Sequence, residues 1–151
     1  MSGKLRLVPI KEHLSENNGF SENKAIDQSG LHMSVDFYRK VGFNPPWICY
    51  FVEQNNLIVG GAAFKGKPVN NKVEIAYGVF PPYMRQGIGS EICMTLVELA
   101  IRTDAEVIIT ARTLPEENYS ARILRKNGFK LLGNVYDEED GNVWEWEYLR
   151  I

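Results

Sequence analysis

Two glycines, Gly87 and Gly89, stand where a strand-forming stretch gives way to an amphipathic helical one. The main-chain amides of such a helix start have little side-chain cover, and the helix dipole places positive charge at the same end. These residue types in this order predict a site for an anion, most simply a phosphate group of a cofactor. A tight turn with close packing and no ligand is the alternative explanation.

A dinucleotide site is a second way to bind phosphate, because Gly87 and Gly89 have the spacing that begins the dinucleotide fingerprint. The third glycine of that fingerprint would fall at position 92, which is Ile92. The loop between strand and first glycine, which contains Pro81 and Pro82, is also too long for the fingerprint. A dinucleotide site is therefore disfavoured.

The elements that must position these glycines are a strand over residues 72–80 and a helix over residues 87–102. The helix is predicted from apolar residues that recur with helical spacing and form one broad face. These residues are Ile88, Ile92, Cys93, Leu96, Val97, Leu99 and Ala100.

The rest of the chain alternates strand and helix patterns. Further strands are predicted over residues 5–9, 47–52, 57–64, 105–111, 129–136 and 143–149, and further helices over 31–41 and 115–127. Residues 11–30 fit either a short helix or a loop. Gly128 is predicted to be a left-handed helix cap, and Asp140-Gly141 to form a hairpin turn. This order predicts an α/β fold with a mixed sheet, antiparallel early and parallel at its centre, with helices on both faces.

Composition restricts the class of protein. The chain has 151 residues, a formal net charge of −2 and 44% hydrophobic residues, which favours one globular domain over residues 1–151. It lacks the basic stripe of a nucleic-acid-binding protein, an apolar run of membrane-spanning length and the spacing of a metal site. Cys49 and Cys93 lie in apolar patterns and are predicted to be reduced core residues, which favours a cytoplasmic protein.

Two motifs together resemble the GCN5-related N-acetyltransferases, and most of all the branch that acetylates ribosomal-protein N-termini. The first is the strand–loop–helix with Arg85-Gln86-Gly87-Ile88-Gly89-Ser90. The second is Ser120-Ala-Arg-Ile-Leu-Arg-Lys-Asn-Gly128-Phe129. The element order agrees with that family along nearly the whole chain, and only weakly before residue 45.

The resemblance implies an acetyl-CoA site, with acetyl-CoA as co-substrate and no metal. Amides of residues 85–90 would bind the pyrophosphate. Strand 73–80 would splay from strand 106–111, so that the pantetheine arm could bond to the main chain near Tyr77 and Val79. The Val79 amide would stabilise the oxyanion. Asn118 would contact the pantetheine, although the family places its asparagine one residue earlier, at Glu117.

Other departures concern the catalytic groups. Met84 replaces the basic or amide residue that opens the family's glycine motif, and Leu124 stands where many relatives have a tyrosine acid. The acid must then be Ser120, Tyr119 or a water. Glu74, within an apolar strand, is either a solvated residue or the base that takes the proton of the amine.

Taken together, these features predict an N-acetyltransferase that moves acetyl from acetyl-CoA directly to a primary amine within a ternary complex. The amine would belong to a small molecule or a peptide N-terminus. An acidic cleft would indicate a polyamine or aminoglycoside, and a deep open groove a peptide. The alternatives are a non-catalytic acyl-CoA-binding module and an interaction protein. A homodimer through the C-terminal strands is also conceivable.

Overall fold

The computed structural model describes residues 3–24, 26 and 28–150, and its centre is a mixed sheet. Seven strands form this sheet: β1 (Arg6–Pro9), β2 (Cys49–Gln54), β3 (Leu57–Phe64), β4 (Lys72–Val79), β5 (Ile108–Thr113), β6 (Phe129–Asp137) and β7 (Gly141–Tyr148). Within the described residues, four α-helices accompany the sheet: α1 (Asn18–Ser21), α2 (Gln28–Val41), α3 (Ile88–Thr103) and α4 (Tyr119–Lys126). This order of elements confirms the predicted one.

The strands lie in the order β1-β2-β3-β4-β5-β7-β6. β4 and β5 run parallel, and the other neighbouring pairs are antiparallel. The predicted mixed sheet, antiparallel early and parallel at its centre, is therefore confirmed. The sequence pattern did not reveal that β7 inserts between β5 and β6.

Helices cover both faces of the sheet, as predicted. α3 packs on the face that carries the odd-numbered residues of β4, where the Gly89 position lies close to Val79 Cγ2. α2 is fixed to the opposite face by Tyr38, whose hydroxyl donates to Ile10 O at 2.7 Å and accepts from Cys49 N–H at 2.9 Å. None of the described helices is both long enough and apolar enough to span a membrane.

Several element boundaries differ from the predicted ones. α4 was predicted to begin at Pro115 but begins at Tyr119, because Asn118 Oδ1 accepts the Ala121 N–H at 2.9 Å and so caps the helix there. β5 begins at Ile108, because Asp104 Oδ1 accepts the Glu106 N–H at 3.0 Å and holds the preceding residues in a turn.

The N-terminal region was left open between helix and loop, and it contains both. A 3-10 turn at Leu14–Glu16 and the short α1 precede α2, which begins at Gln28 rather than near residue 31. Residues 25 and 27 of this region lie outside the described part of the chain.

Gly128 forms the predicted left-handed helix cap, and Gly60 marks a close approach of two strands. Gly128 ends α4 with a φ of +86°, the left-handed conformation that glycine tolerates best. Gly60 lies so close to β4 that a Cβ atom there would collide with the carbonyl oxygen of Gly78.

Candidate active site

The parallel strands β4 and β5 part from one another within the sheet. Their pairing runs from Lys72–Ile108 to Ile75–Ala111, whereas β4 continues to Val79 and β5 to Thr113. The resemblance implied such a splay, and the structure has it. A cleft therefore opens beyond Ile75.

The backbone of β4 presents hydrogen-bonding groups to this cleft. The carbonyl of Glu74 accepts from the amide of Lys65, just past β3, and the amide of Phe80 donates to Val59 O in β3, at 2.8 Å each. On the other side, the carbonyl of Asn71 accepts from the amide of Ile108 at the start of β5, also at 2.8 Å. Because successive residues of a strand direct their N–H and C=O groups to opposite neighbours, the main-chain groups of the odd-numbered residues of β4 point toward β5. Tyr77 and Val79 thus direct their main-chain groups into the gap, where an extended ligand can bond to them as a strand would.

A cavity of about 460 Å³ occupies this cleft on the side of the sheet that α3 and α4 cover. It brings together six of the residues predicted for the site. These are Tyr77, Val79, Arg85, Gly89, Tyr119 and Ser120. Gly78, Met84, Arg122 and Ile123 complete the lining. Glu74, Gln86, Gly87, Ile88, Ser90 and Asn118 are not part of it.

The start of α3 has the geometry expected for anion binding. Gly87 precedes the helix with a φ of +80°, and the first helical hydrogen bond runs from Glu91 N–H to Gly87 O at 3.3 Å. The amides of Ile88, Gly89 and Ser90 come before this bond, so the helix itself does not use them. Although the side chain of Ile88 is buried in the core, its amide belongs to this group.

The two glycines serve different purposes. Gly87 is required by its left-handed backbone, since a Cβ there would meet nothing within 4 Å. At Gly89 a Cβ would lie 3.0 Å from Ile123 Cδ1. The close-packing explanation therefore applies to Gly89, which lets α3 approach α4, and the anion site does not depend on a single reason for both residues.

Ser90 and Asn127 join the two helices beside the cavity. The amide of Asn127, just after α4, donates to Ser90 Oγ at 3.0 Å and to Ile123 O at 3.0 Å. The hydroxyl of Ser90 is thus engaged with α4. Its main-chain amide is the group available to an anion.

Two arginines supply positive charge at the cavity. Arg85, with a φ of +66°, and Arg122 both line it and are exposed. Arg125, on the same helix as Arg122, does not line the cavity. It forms an ion pair with Glu117 and lies over the Trp146 ring, 5.0 Å from its centroid.

The first turn of α4 places two hydroxyls at the cavity. Tyr119 and Ser120 are both exposed and line it. The helix is capped by Asn118 and not by Ser120. With its carbonyl oxygen occupied, Asn118 has its amide nitrogen left for any contact with a ligand.

Glu74 lies on the opposite face of the sheet from Tyr119 and Ser120. Its side chain is 23% exposed and approaches Arg112 Nε at 3.8 Å. Arg112 also pairs with Asp137 at 2.9 Å and Glu145 at 3.4 Å. Burial raises the pKa of Glu74 above its usual value, and Asp137 and Glu145 act in the same direction, while Lys65 and Arg112 partly offset them.

Sequence reasoning did not assign several residues of this region. Met84 and Ile123 line the cavity, and Arg112 pairs with three carboxylates. The helical spacing of Tyr119, Arg122 and Ile123 could have revealed that they share one face. Arg112 is a charged residue in an otherwise apolar strand, as Glu74 is.

The described residues contain no group of three or more His, Cys, Asp or Glu side chains placed to hold a metal ion. Cys49 and Cys93 are both free and buried, as predicted for core residues. His13 and His32 are exposed and lie away from the cavity.

A mixed sheet that splits along its parallel pair, with a glycine-led helix start beside the gap, defines the acyl-CoA N-acyltransferase class of fold. The chain belongs to the acetyltransferase (GNAT) domain family, which matches residues 18–130. It is thus an acetyltransferase, and the resemblance found in the sequence is confirmed.

Individual relatives agree with this assignment. The chain is 26% identical, over 141 aligned residues, to the uncharacterized N-acetyltransferase YjdG of Bacillus subtilis (strain 168), with 87% of this chain and 79% of the relative covered. Among solved structures, it resembles RimL, a ribosomal L7/L12 α-N-protein acetyltransferase in complex with coenzyme A. That similarity has a TM-score of 0.69 and 18% identity, and covers 96% of this chain and 93% of RimL.

A GNAT-family acetyltransferase from Bacillus anthracis has a TM-score of 0.65 and 18% identity, with 99% of this chain and 98% of that protein covered. At these identities the structural matches establish the fold, and the acceptor of each neighbour remains a property of that neighbour.

Proposed function

We propose that this protein transfers the acetyl group of acetyl-CoA to a primary amine, by direct attack within a ternary complex. The observation that carries the proposal is the split between β4 and β5, which leaves the main-chain groups of Tyr77 and Val79 facing a cavity bordered by the start of α3. Bound acetyl-CoA supplies a thioester, whose carbonyl carbon accepts the amine.

The cofactor half of the site fits a long anionic ligand. The amides of residues 88–90 and the side chains of Arg85 and Arg122 offer donors and positive charge to a pyrophosphate. We assign the same function to the backbone of Gln86 and Gly87, which leads into the helix. A pantetheine arm continues along β4, bonding to Tyr77 and Val79, with Asn118 Nδ2 near its path.

The chemical half of the site divides between the two faces of the sheet. An ammonium acceptor must lose a proton before it attacks, and Glu74 with its raised pKa accepts it, directly or through a water. The amide of Val79 stabilises the oxyanion as the nitrogen–carbon bond forms. When the carbon–sulfur bond breaks, Ser120 or Tyr119 protonates the thiolate from the cavity side.

The test is thiol release from acetyl-CoA with a panel of amines and peptides. E74Q is expected to lower kcat/KM by about 100-fold or more, the usual effect of removing a general base, with acetyl-CoA affinity unchanged. E145Q is the matched control, because it removes another carboxylate of the Arg112 cluster and is expected to have a small effect. S120A and Y119F then identify the acid.

Tight binding of CoA without turnover of any amine would contradict this proposal and favour an acyl-CoA-binding module instead. Equal losses in E74Q and E145Q would show that Glu74 acts only through the cluster.

The setting of the enzyme is also a proposal. The two free thiols suit a reducing cytoplasm, and we expect residues 1–151 to act as one domain.

β6 forms an edge of the sheet, with Leu132 and Tyr136 exposed on it, so a homodimer through the C-terminal strands is a reasonable assembly. Light scattering on the eluting protein would measure its mass directly.

A further inference from the structure

A second cavity, of about 390 Å³, lies on the α2 side of the sheet. Tyr77, Gly78 and Val79 border both this cavity and the cofactor cavity on the other side. The two spaces therefore meet at the free edge of β4. A molecule held here reaches the reacting carbon around that edge.

The floor of this cavity consists of very small side chains. β3 and β4 pair Ala63 with Ala76 and Gly61 with Gly78, and all four residues line the space. Residues that pair directly lie on the same face of a sheet, so they form two adjacent rows with almost no projecting atoms. The result is a flat apolar surface.

The other walls add apolar surface and no charge. Ile10, Phe51 and Phe80 border the space, and none of the described residues that line it is acidic or basic. The hydroxyl of Ser34 donates to Gly30 O at 2.9 Å and that of Tyr50 to Pro46 O at 2.6 Å. A polar substituent buried here would lose its hydrogen bonds to water and find few hydrogen-bond partners in the protein, which is unfavourable.

The position of Glu74 determines which way an acceptor would lie in the cavity. It lies two residues before Ala76 in β4, so both side chains project from the same face. An acceptor whose apolar part covers Ala76 can therefore keep its nitrogen at the carboxylate end and the cleft.

Resting on the proposed function, we infer that the acceptor is a primary amine with an apolar side group, aromatic or branched aliphatic, that lies on the floor of Ala63, Ala76, Gly61 and Gly78. The cavity volume is that of a small-molecule site. Polyamines and aminoglycosides do not fit an uncharged lining. The side group can belong to a free amine or to the first residue of a peptide.

The first arm of the test compares acceptors by thiol release. 2-Phenylethylamine and isoamylamine are expected to exceed ethanolamine and putrescine in kcat/KM by about tenfold or more, the discrimination usual for an apolar pocket. Peptides that begin with Phe or Leu, compared with peptides that begin with Ser or Asp, form the second arm. Turnover of Phe peptides without turnover of free amines identifies a peptide acceptor, and the reverse a small molecule.

The second test fills the cavity from α2. Gly30 lines it, and a Cβ at Gly30 meets nothing within 4 Å, so G30L adds bulk without backbone strain. It is expected to lower kcat/KM for the apolar amines at least tenfold, with KM for acetyl-CoA unchanged. G19L is the matched control, because Gly19 is equally free, is exposed and lies outside the cavity.

A63V repeats the test from the floor, should G30L fold poorly by circular dichroism. Preference for polar or polycationic amines overturns the inference and leaves the proposed acetyl transfer standing, as does unchanged turnover of apolar amines in G30L and A63V. Absence of turnover with every amine and peptide overturns both proposals.

Discussion

The raised pKa of Glu74 makes a specific prediction about pH. As a base, Glu74 must be unprotonated, so kcat/KM should fall as the pH drops through its folded-state pKa. Because burial raises that pKa, the acid limb of the profile should lie above the value of about 4.3 of an ordinary glutamate. K65Q removes a cation that lowers this pKa and should move the limb to higher pH.

The raised pKa of Glu74 also makes a prediction about stability. As the pH rises through this pKa, activity should rise, whereas the contribution of Glu74 to the free energy of unfolding should fall, so the two measurements distinguish a catalytic role from a structural one. A carboxyl whose pKa is raised by folding favours the folded state less as pH rises from the ordinary to the raised pKa. E74Q removes that effect, and Arg112 still keeps Asp137 and Glu145. The variant should therefore unfold at the same or a higher temperature than the wild type at neutral pH. A lower melting temperature would assign Glu74 a structural role.

The glycines before and within α3 should differ in their effect on cofactor binding. G87A places a side chain in a left-handed backbone, at a cost of about 1–2 kcal/mol, and the helix start that presents the amides should shift. We expect CoA to bind several-fold more weakly. G89A meets only the end of the Ile123 side chain, which can move, and should have a smaller effect. Isothermal titration with CoA measures both, and a larger effect in G89A would contradict this ranking.

Among the elements, α2 depends on one buried hydroxyl. Tyr38 is 4% exposed, and its hydroxyl donates to Ile10 O and accepts from Cys49 N–H. Y38F leaves that amide without its partner, so it should reduce the free energy of unfolding by about 1–3 kcal/mol. Urea unfolding measures the change. Y136F, at a tyrosine that is 72% exposed, should change it little, and equal effects would contradict the explanation.

The sequence predicted the elements better than their boundaries. Periodic apolar residues defined α3 and the strands, because burial of one face fixes such patterns. The start of α4 was wrong because Pro115 and two acids imitate a first turn, whereas the Asn118 cap decides it. The insertion of β7 between β5 and β6 depends on pairing between distant residues, which no local pattern encodes.

The candidate site shows the same division. The motif with Gly87 and Gly89 pointed to the cofactor cavity, and Glu74 was recognised as unusual in an apolar strand. The second cavity was not predicted, since its floor is made of Gly61, Ala63, Ala76 and Gly78, which have no chemical signal of their own. Only their register across β3 and β4 makes them a surface.

On the scale of the whole molecule, the sheet separates two cavities that meet at one strand edge. The cofactor cavity lies on the α3 and α4 side and the second cavity on the α2 side, with Tyr77 to Val79 common to both. The cofactor and the acceptor that we propose for these cavities would therefore not compete for the same space. This arrangement favours direct transfer, because holding two reactants in place removes much of the entropic barrier.

The cysteines make a covalent route unfavourable. Cys93 is 0% exposed and burial raises its pKa to about 11, and burial likewise raises the pKa of Cys49, which borders the second cavity. Since the thiolate is the nucleophile, neither thiol is suited to accept the acetyl group. Initial-rate lines at several fixed acceptor concentrations should therefore intersect. Mass spectrometry after incubation with acetyl-CoA alone should find the chain unmodified, whereas parallel lines together with an acetylated cysteine would require a two-step mechanism.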